Sequence, residues 1–403
     1  MRLTLPRLLI VAVIGLLGAY AFVWAPMRTL PADPDLRLNR EPSFTWTPPA
    51  AAPAARPAFP PYGTAFLGVM TKTGPYDLRP LRDFTRAVGR RPAALQFSQG
   101  WETQRFVRGA FDRIARRGMM PIVAWEPWDY AAESMIELEH GGQPKYALKR
   151  IIAGEFDDYV TAWARGIKRL RYPVAIRFAH EMNGFWYPWC EGVNGNAPGS
   201  YVAAWRHVHD IFTRLGVDNV TWIWSPNVHY QGSTPLKGLY PGDDYVDWVG
   251  LSGYYGTEGM EGYRSFSEVF SPTLKTIRQL TRKPVVITEV AATDVSGLKA
   301  RWVEQMFRQL PKHPDIIGVI WYEAVKETDW RIAASPRAAQ AYAEGAAGTG
   351  VTTTWSPDMV PRTSLTRPPA TRRPATTPSA ARPSAAKARN APPAPGRASP
   401  GPG

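Results

Sequence analysis

The chain has 403 residues, a formal net charge of +14, 40 prolines, 16 tryptophans and one cysteine, Cys190. A lone cysteine excludes an internal disulfide, so stability has to come from a large buried core rather than from covalent staples. The positive charge argues little for nucleic acid, because residues 362–403 carry eight Lys/Arg and no acid, and neither a basic helix nor an RNA-binding motif precedes them.

In chain order, Arg2 and Arg7 precede an uncharged run from Leu8 to Met27 that Arg28 closes. This pattern predicts an export signal over residues 1–28. About 20 apolar residues are long enough to span a bilayer, so we read the run as an anchor with its N-terminus inside. Ala19-Tyr20-Ala21 leaves cleavage open as the alternative. Residues 29–61 are Pro/Ala-rich and are expected to form an extended linker. Of the 40 prolines, residues 1–61 and 361–403 hold 11 each, which leaves ordinary globular chemistry between them. The expected folded body is therefore one domain over residues 62–348, able to fold without residues 1–61. Residues 349–403 are expected to be a disordered basic tail that contacts a cell wall or an anionic surface.

Within the body, apolar runs predict strands at 64–70, 93–98, 119–125, 174–180, 220–225, 248–254, 284–290 and 316–322. Helical periodicity lies between them, at Arg105 to Arg117, Phe156 to Leu170, Tyr201 to Leu215, Phe266 to Leu280 and Leu298 to Leu310. Near-continuous apolar strands alternating with helices imply a parallel sheet covered on both faces. Eight repeats predict an α/β fold, a (β/α)8 TIM barrel; an open doubly wound sheet is the alternative. Polar and aromatic residues gather where these strands end, including Trp125 and Trp128, Glu181, Asn227, Tyr254, Glu289, and Trp321 with Glu323. In a barrel these points converge on the rim that carries chemistry.

Two strand ends stand out. Ile176-Arg177-Phe178-Ala179-His180-Glu181 runs into Met182-Asn183-Gly184-Phe185-Trp186-Tyr187-Pro188-Trp189, and Val285-Val286-Ile287-Thr288-Glu289 places a second carboxylate on the seventh strand. Glycoside hydrolysis needs two carboxylates flanking one bond, one to protonate the leaving oxygen and one to attack or to activate water. Alternation puts Arg177, Ala179 and Glu181 on one side of the fourth strand, with Arg177 beneath the carboxylates or in an ion pair within the barrel. Alternation turns His180 away. Trp125, Trp128, Trp186, Trp189 and Trp321 are candidate platforms, because the C–H face of a pyranose stacks on an aromatic ring. The sequence has no Cys/His cluster with zinc spacing and no Gly-rich phosphate loop, so no metal or other cofactor is expected.

The His180-Glu181 pair with its aromatic block, the segment from Tyr240 to Tyr254 and KPVVITEV resemble the glycoside hydrolases of family 26, over most of residues 63–325. The resemblance implies that Glu181 is the general acid/base and Glu289 the nucleophile of a retaining, endo-acting β-glycosidase. It further implies that His180 contacts the sugar next to the scissile bond, which requires a twist or bulge at the strand end, and that Tyr254 hydrogen-bonds the nucleophile. Asn183 and Asn227 join them as supporting residues. Glu323 departs from the amide expected there. The block around Asn183 and Tyr187-Pro188-Trp189 looks nearer to glucan-cleaving members, so a β-glucan is the expected substrate, with a β-mannan as the alternative. A catalytically weak, carbohydrate-binding wall protein is the reading from another class. The expected setting is a monomer exported and either held at the outer face of the cytoplasmic membrane or secreted.

Overall fold

The computed structural model describes residue 38 and residues 42–47, 56–103, 105–130, 142–256 and 262–363. The expected export segment and residues 364–403 of the basic tail lie outside the described residues. Among the described residues no helix is long and apolar enough to cross a membrane.

Eight parallel strands form a barrel: β1 Ala65–Met70, β2 Ala94–Gly100, β3 Met120–Glu126, β4 Val174–Phe178, β5 Val220–Trp224, β6 Trp248–Tyr255, β7 Val285–Ala292 and β8 Ile316–Tyr322. Each pairs with the next, and β1 also pairs with β8 from Phe66 opposite Gly318 to Met70 opposite Tyr322. That last ladder closes the barrel and rules out the open sheet. Gly318 is a requirement of closure, since a Cβ there would lie 2.2 Å from the Phe66 ring.

Among the described residues the α-helices are α1 Arg79–Val88, α2 Arg108–Ala115, α3 Leu148–Ile152, α4 Asp157–Lys168, α5 Ser200–Arg214, α6 Phe266–Leu280, α7 Lys299–Gln309 and α8 Pro336–Ala346. Local chemistry sets their ends. α6 opens on a capping box between Ser265 and Glu268, and α1 stops at Gly89 with φ 67°. Between β5 and β6 two short 3-10 turns, Leu236–Leu239 and Asp243–Tyr245, stand where the repeat calls for an α-helix.

Two irregularities shape the rim. In the β6–β7 ladder Leu251 pairs with Ile287 but Ser252 pairs with Glu289, so Thr288 is an extra residue. Such a bulge breaks the alternation of faces. Thr288 Oγ1 lies 2.8 Å from Ser225 Oγ while Glu289 also faces inward, onto Arg177. The second irregularity, at the end of β4, belongs to the site itself.

The folded body extends beyond the expected limits of 62 and 348. Ala58–Phe59 pairs in parallel with Val360–Pro361, and Val351–Thr352 pairs with β1. Phe59 is fully buried, its ring stacked 5.0 Å from Phe66. Leu38 and Trp355 are buried as well. The Phe44 N–H donates to Asp112 (3.0 Å), and Trp248 Nε1 donates to the Arg362 carbonyl (2.6 Å). Proline content marked these stretches as poor in regular structure, yet a few large apolar side chains anchor them to the end of the barrel opposite the catalytic rim. Removing residues 1–61 is therefore expected to destabilise the body by about 3–5 kcal/mol, the range for deleting a buried phenylalanine. A lower urea midpoint than that of a chain starting just before Leu38 is the readout, and equal midpoints would count against a structural role for this segment.

Candidate active site

The chain leaves β4 at Phe178 and enters the left-handed backbone region at Ala179 (φ 43°) and again at Glu181 (φ 55°). A non-glycine residue in this region costs on the order of 1–3 kcal/mol unless its surroundings enforce it. They do so here: the Ala179 N–H donates to the Trp125 carbonyl (3.1 Å) and the Glu181 N–H to the Ser225 carbonyl (2.7 Å). The two kinks break the alternation that would have turned His180 away. His180 and Glu181 both end on the rim, each nearly buried.

Glu181 is 8% exposed and accepts a hydrogen bond from Trp186 Nε1 (3.0 Å). Burial, followed by the negative charge of Glu289, raises its pKa above the ordinary carboxylate value. A carboxyl so placed keeps its proton to higher pH, as a general acid requires. The Trp186 N–H opposes this by favouring the ionised form. Trp186→Phe is therefore expected to raise the Glu181 pKa further and to move the alkaline limb of the kcat/KM profile to higher pH. A limb that stays put or moves down would remove Trp186 from any role in tuning Glu181.

Glu289, on the bulged β7, is 8% exposed and accepts from both Arg177 Nη1 and the Tyr254 hydroxyl. Arg177 has no exposed surface. Its Nε donates to Ser225 Oγ (2.9 Å) and its Nη2 to Ser252 Oγ (2.5 Å). Burial works against the guanidinium charge, but the carboxylates of Glu289 and Glu181 more than offset it and raise the Arg177 pKa. Both expectations for Arg177 thus merge: it is an ion pair within the barrel, and it lies under the carboxylates. Gly250 makes room for Ser225, whose Cβ would lie 2.5 Å from a Cβ at that position.

The tryptophans divide by strand face. Trp128 and Trp186 are partly exposed at the site, where Trp128 Nε1 donates to Glu126 (3.0 Å). Trp125, Trp189 and Trp321 are not platforms, being fully buried. Trp125 packs 4.9 Å from Trp163 on α4, and Trp321 packs 6.2 Å from Trp302 on α7. Trp189 stacks 4.3 Å from Tyr187 and donates to the His180 carbonyl (2.6 Å), holding the kinked segment. Asn183 is likewise a brace. Its side chain accepts from the Asn227 N–H (2.8 Å) and donates to the Asn227 carbonyl (2.9 Å), tying the loop after β4 to the loop after β5. Asn227 takes part through its backbone. Glu323 accepts from the N–H groups of Ile332 (2.7 Å) and Ala333 (3.0 Å), and burial pushes its pKa up to about 7. Cys190 is buried with its thiol pushed up to about 12, which leaves it unreactive.

Sequence reasoning passed over Glu126, Tyr187, Ser225 and Ser252 as site residues. Parity carried a signal for the first: with Trp125 facing the helices, Glu126 has to face the lumen.

Residues 132–302, a span that includes both Glu181 and Glu289, match the sequence profile of Glycosyl hydrolase family 26. The chain is also 33% identical over 272 residues to Endoglucanase H of Acetivibrio thermocellus, covering 66% of this chain and 28% of that protein. Residues 132–302, and with them both rim carboxylates, belong to glycosyl hydrolase family 26. A family 26 fold also agrees with the similarity to the catalytic domain of the Bacillus sp. JAMB-750 GH26 endo-β-1,4-mannanase (TM-score 0.57, 17% identity, 74% of this chain and 91% of that one). The β-1,3-xylanase TXYA of a Vibrio species is 25% identical over 287 residues, covering 66% of this chain and 59% of that protein. The chain thus spans less than two thirds of the length of either curated relative.

Proposed function

We propose that this chain is a retaining, endo-acting β-glycosidase that hydrolyses a β-linked polysaccharide, a β-glucan in preference to a β-mannan. The observation that carries the reading is the asymmetry of the two rim carboxylates. Glu289 is clamped by a permanent cation and a phenol, whereas Glu181 is buried against a like charge and biased toward its protonated form.

In the first step Glu289 attacks the anomeric carbon while Glu181 gives its proton to the leaving glycosidic oxygen. One C–O bond breaks and an ester C–O bond forms. In the second, Glu181 takes a proton from water, the resulting hydroxide attacks the same carbon, and the ester to Glu289 breaks. Arg177 and Tyr254 hold the Glu289 oxygens in place throughout. The preference for a glucan rests on the HEMNGFWYPW block and on the 33% identity to a protein called an endoglucanase. Export, with the body outside the cytoplasmic membrane, a monomeric state and contact of the basic tail with an anionic surface belong to the same proposal and rest on the sequence of the two ends.

The test is a panel of mixed-linkage β-glucan, carboxymethylcellulose, β-1,3-glucan, mannan and xylan, read by reducing ends, by viscosity and by the anomeric configuration of the first product. Rapid viscosity loss on a glucan with a β-configured product is the expected result. An α-configured first product would sink retention, and binding without turnover on all five would leave a carbohydrate-binding protein.

A further inference from the structure

Glu126, at the end of β3, is a third carboxyl on the same rim and has no part in the mechanism above. It is 3% exposed, and burial pushes its pKa up to about 7. Its Oε2 accepts from Trp128 Nε1 (3.0 Å). Its Oε1 faces His180 Nδ1 across 3.9 Å, too far for a direct hydrogen bond. That Nδ1 is buried and has no partner, on a side chain that is itself 3% exposed. On the other side of the ring, Nε2 lies 3.3 Å from the Tyr187 hydroxyl. Burial drives the His180 pKa well below the usual imidazole range, so the ring is neutral and has one donor and one acceptor.

With Glu126 ionised, one arrangement of these partners presents a donor to it. Tyr187 donates its hydroxyl hydrogen to Nε2, so the imidazole proton sits on Nδ1 and points into the gap. Across the gap, Glu126 Oε1 offers an acceptor. An oxygen placed about 2.8 Å from both atoms fits a separation of this size, and it has to accept from one side and donate to the other. A sugar hydroxyl does both.

We propose that Glu126 and His180 together form a notch that selects one ring hydroxyl of the sugar bound beside Glu289, with Glu126 as a specificity-determining residue. The proposal rests on the glycosidase reading for its ligand, but it is tested apart from turnover. Glu126 is close enough to Arg177 and Glu289 for their charges to act on it, which places the notch on the side of the reacting sugar. An unpartnered buried nitrogen facing a carboxylate costs stability; a hydroxyl that satisfies both returns that energy as recognition.

The experiment measures dissociation constants of cellotriose, laminaritriose and mannotriose, and then of the singly deoxygenated derivatives of the tightest binder. Each is measured on the unmutated chain and on Glu126→Ala and Glu126→Gln, with folding checked by near-ultraviolet circular dichroism. A hydrogen bond to a charged group is worth about 10- to 100-fold in affinity. The expected result is that one deoxygenation weakens binding to the unmutated chain by that factor and costs several-fold less in Glu126→Ala, where only the His180 bond to that hydroxyl is left to lose, with Glu126→Gln between the two. Deoxygenation penalties that are the same in all three proteins overturn the proposal, since the gap then holds a permanent water. Binding without turnover overturns the glycosidase reading while the deoxygenation series still decides the notch, and no binding by any of the three sugars overturns both.

Discussion

Glu289→Ala is expected to lower kcat/KM on the best polysaccharide on the order of 10⁵-fold, the scale seen when a covalent nucleophile is removed. Alanine leaves a gap where the carboxylate stood, so azide should restore turnover and give a glycosyl azide of α configuration, because a single displacement inverts the anomeric carbon. Loss of activity with no azide rescue, or rescue with a β-configured product, would falsify Glu289 as the nucleophile. The same variant tests the role of Arg177. Stranding a buried charge costs about 3–5 kcal/mol, but the neighbouring Glu181 carboxylate also attracts this guanidinium, and removing Glu289 ends the repulsion between the two carboxylates. A net loss below that range, about 2–3 kcal/mol, is expected from urea unfolding. Glu289→Gln keeps the hydrogen-bond acceptor and should lose less stability for a similar loss of activity.

The second large effect concerns Glu181. Its replacement by glutamine removes the proton donor, and general acid catalysis contributes about 10²- to 10⁴-fold, so hydrolysis of polysaccharide should fall by that amount. The loss should depend on the leaving group. A 2,4-dinitrophenyl glycoside departs without a proton, so the glycosyl-enzyme still forms on Glu289 while its breakdown slows. Stopped-flow traces should show a burst of dinitrophenolate, and the protein mass should rise by one glycosyl unit. Equal losses on activated and unactivated substrates would remove Glu181 from the acid/base role. In the unmutated enzyme activity needs Glu181 protonated. Burial and the Glu289 charge raise its pKa, so activity is retained above the usual carboxylate range and falls as pH rises through that shifted value.

Much of the architecture was legible. All eight strands lie where apolar runs predicted them, because a strand covered on both faces needs an almost unbroken apolar sequence. Three helices were passed over, among them α3, which is only five residues long. α8, PRAAQAYAEGA, is rich in alanine and small residues and lacks a strong apolar stripe. α1 did carry signals, a proline at its first turn and Gly89 at its end. Of the five tryptophans expected at the site, simple alternation would have sent Trp125 and Trp321 to the helices and their neighbours Glu126 and Tyr322 to the lumen. Asn183 was expected as a supporting residue of the site from its place in the aromatic block; its partner, the backbone of Asn227, lies 44 residues away and could not be read from that block.

The sequence by itself determined the barrel, the order of its strands and the presence of one carboxylate on the fourth strand and one on the seventh, since periodicity and strand count are local properties of the chain. Only the tertiary structure decided which side chains at those strand ends face one another. His180 reaches the rim because Ala179 and Glu181 adopt left-handed backbone, held by carbonyls of Trp125 and Ser225 on neighbouring strands. Thr288 and Glu289 both face inward because a register shift against β6 leaves one residue extra. The Arg177 to Glu289 pair joins residues 112 apart. Pairing register and long-range hydrogen bonds set these orientations, and neither is written in the alternation of a single strand.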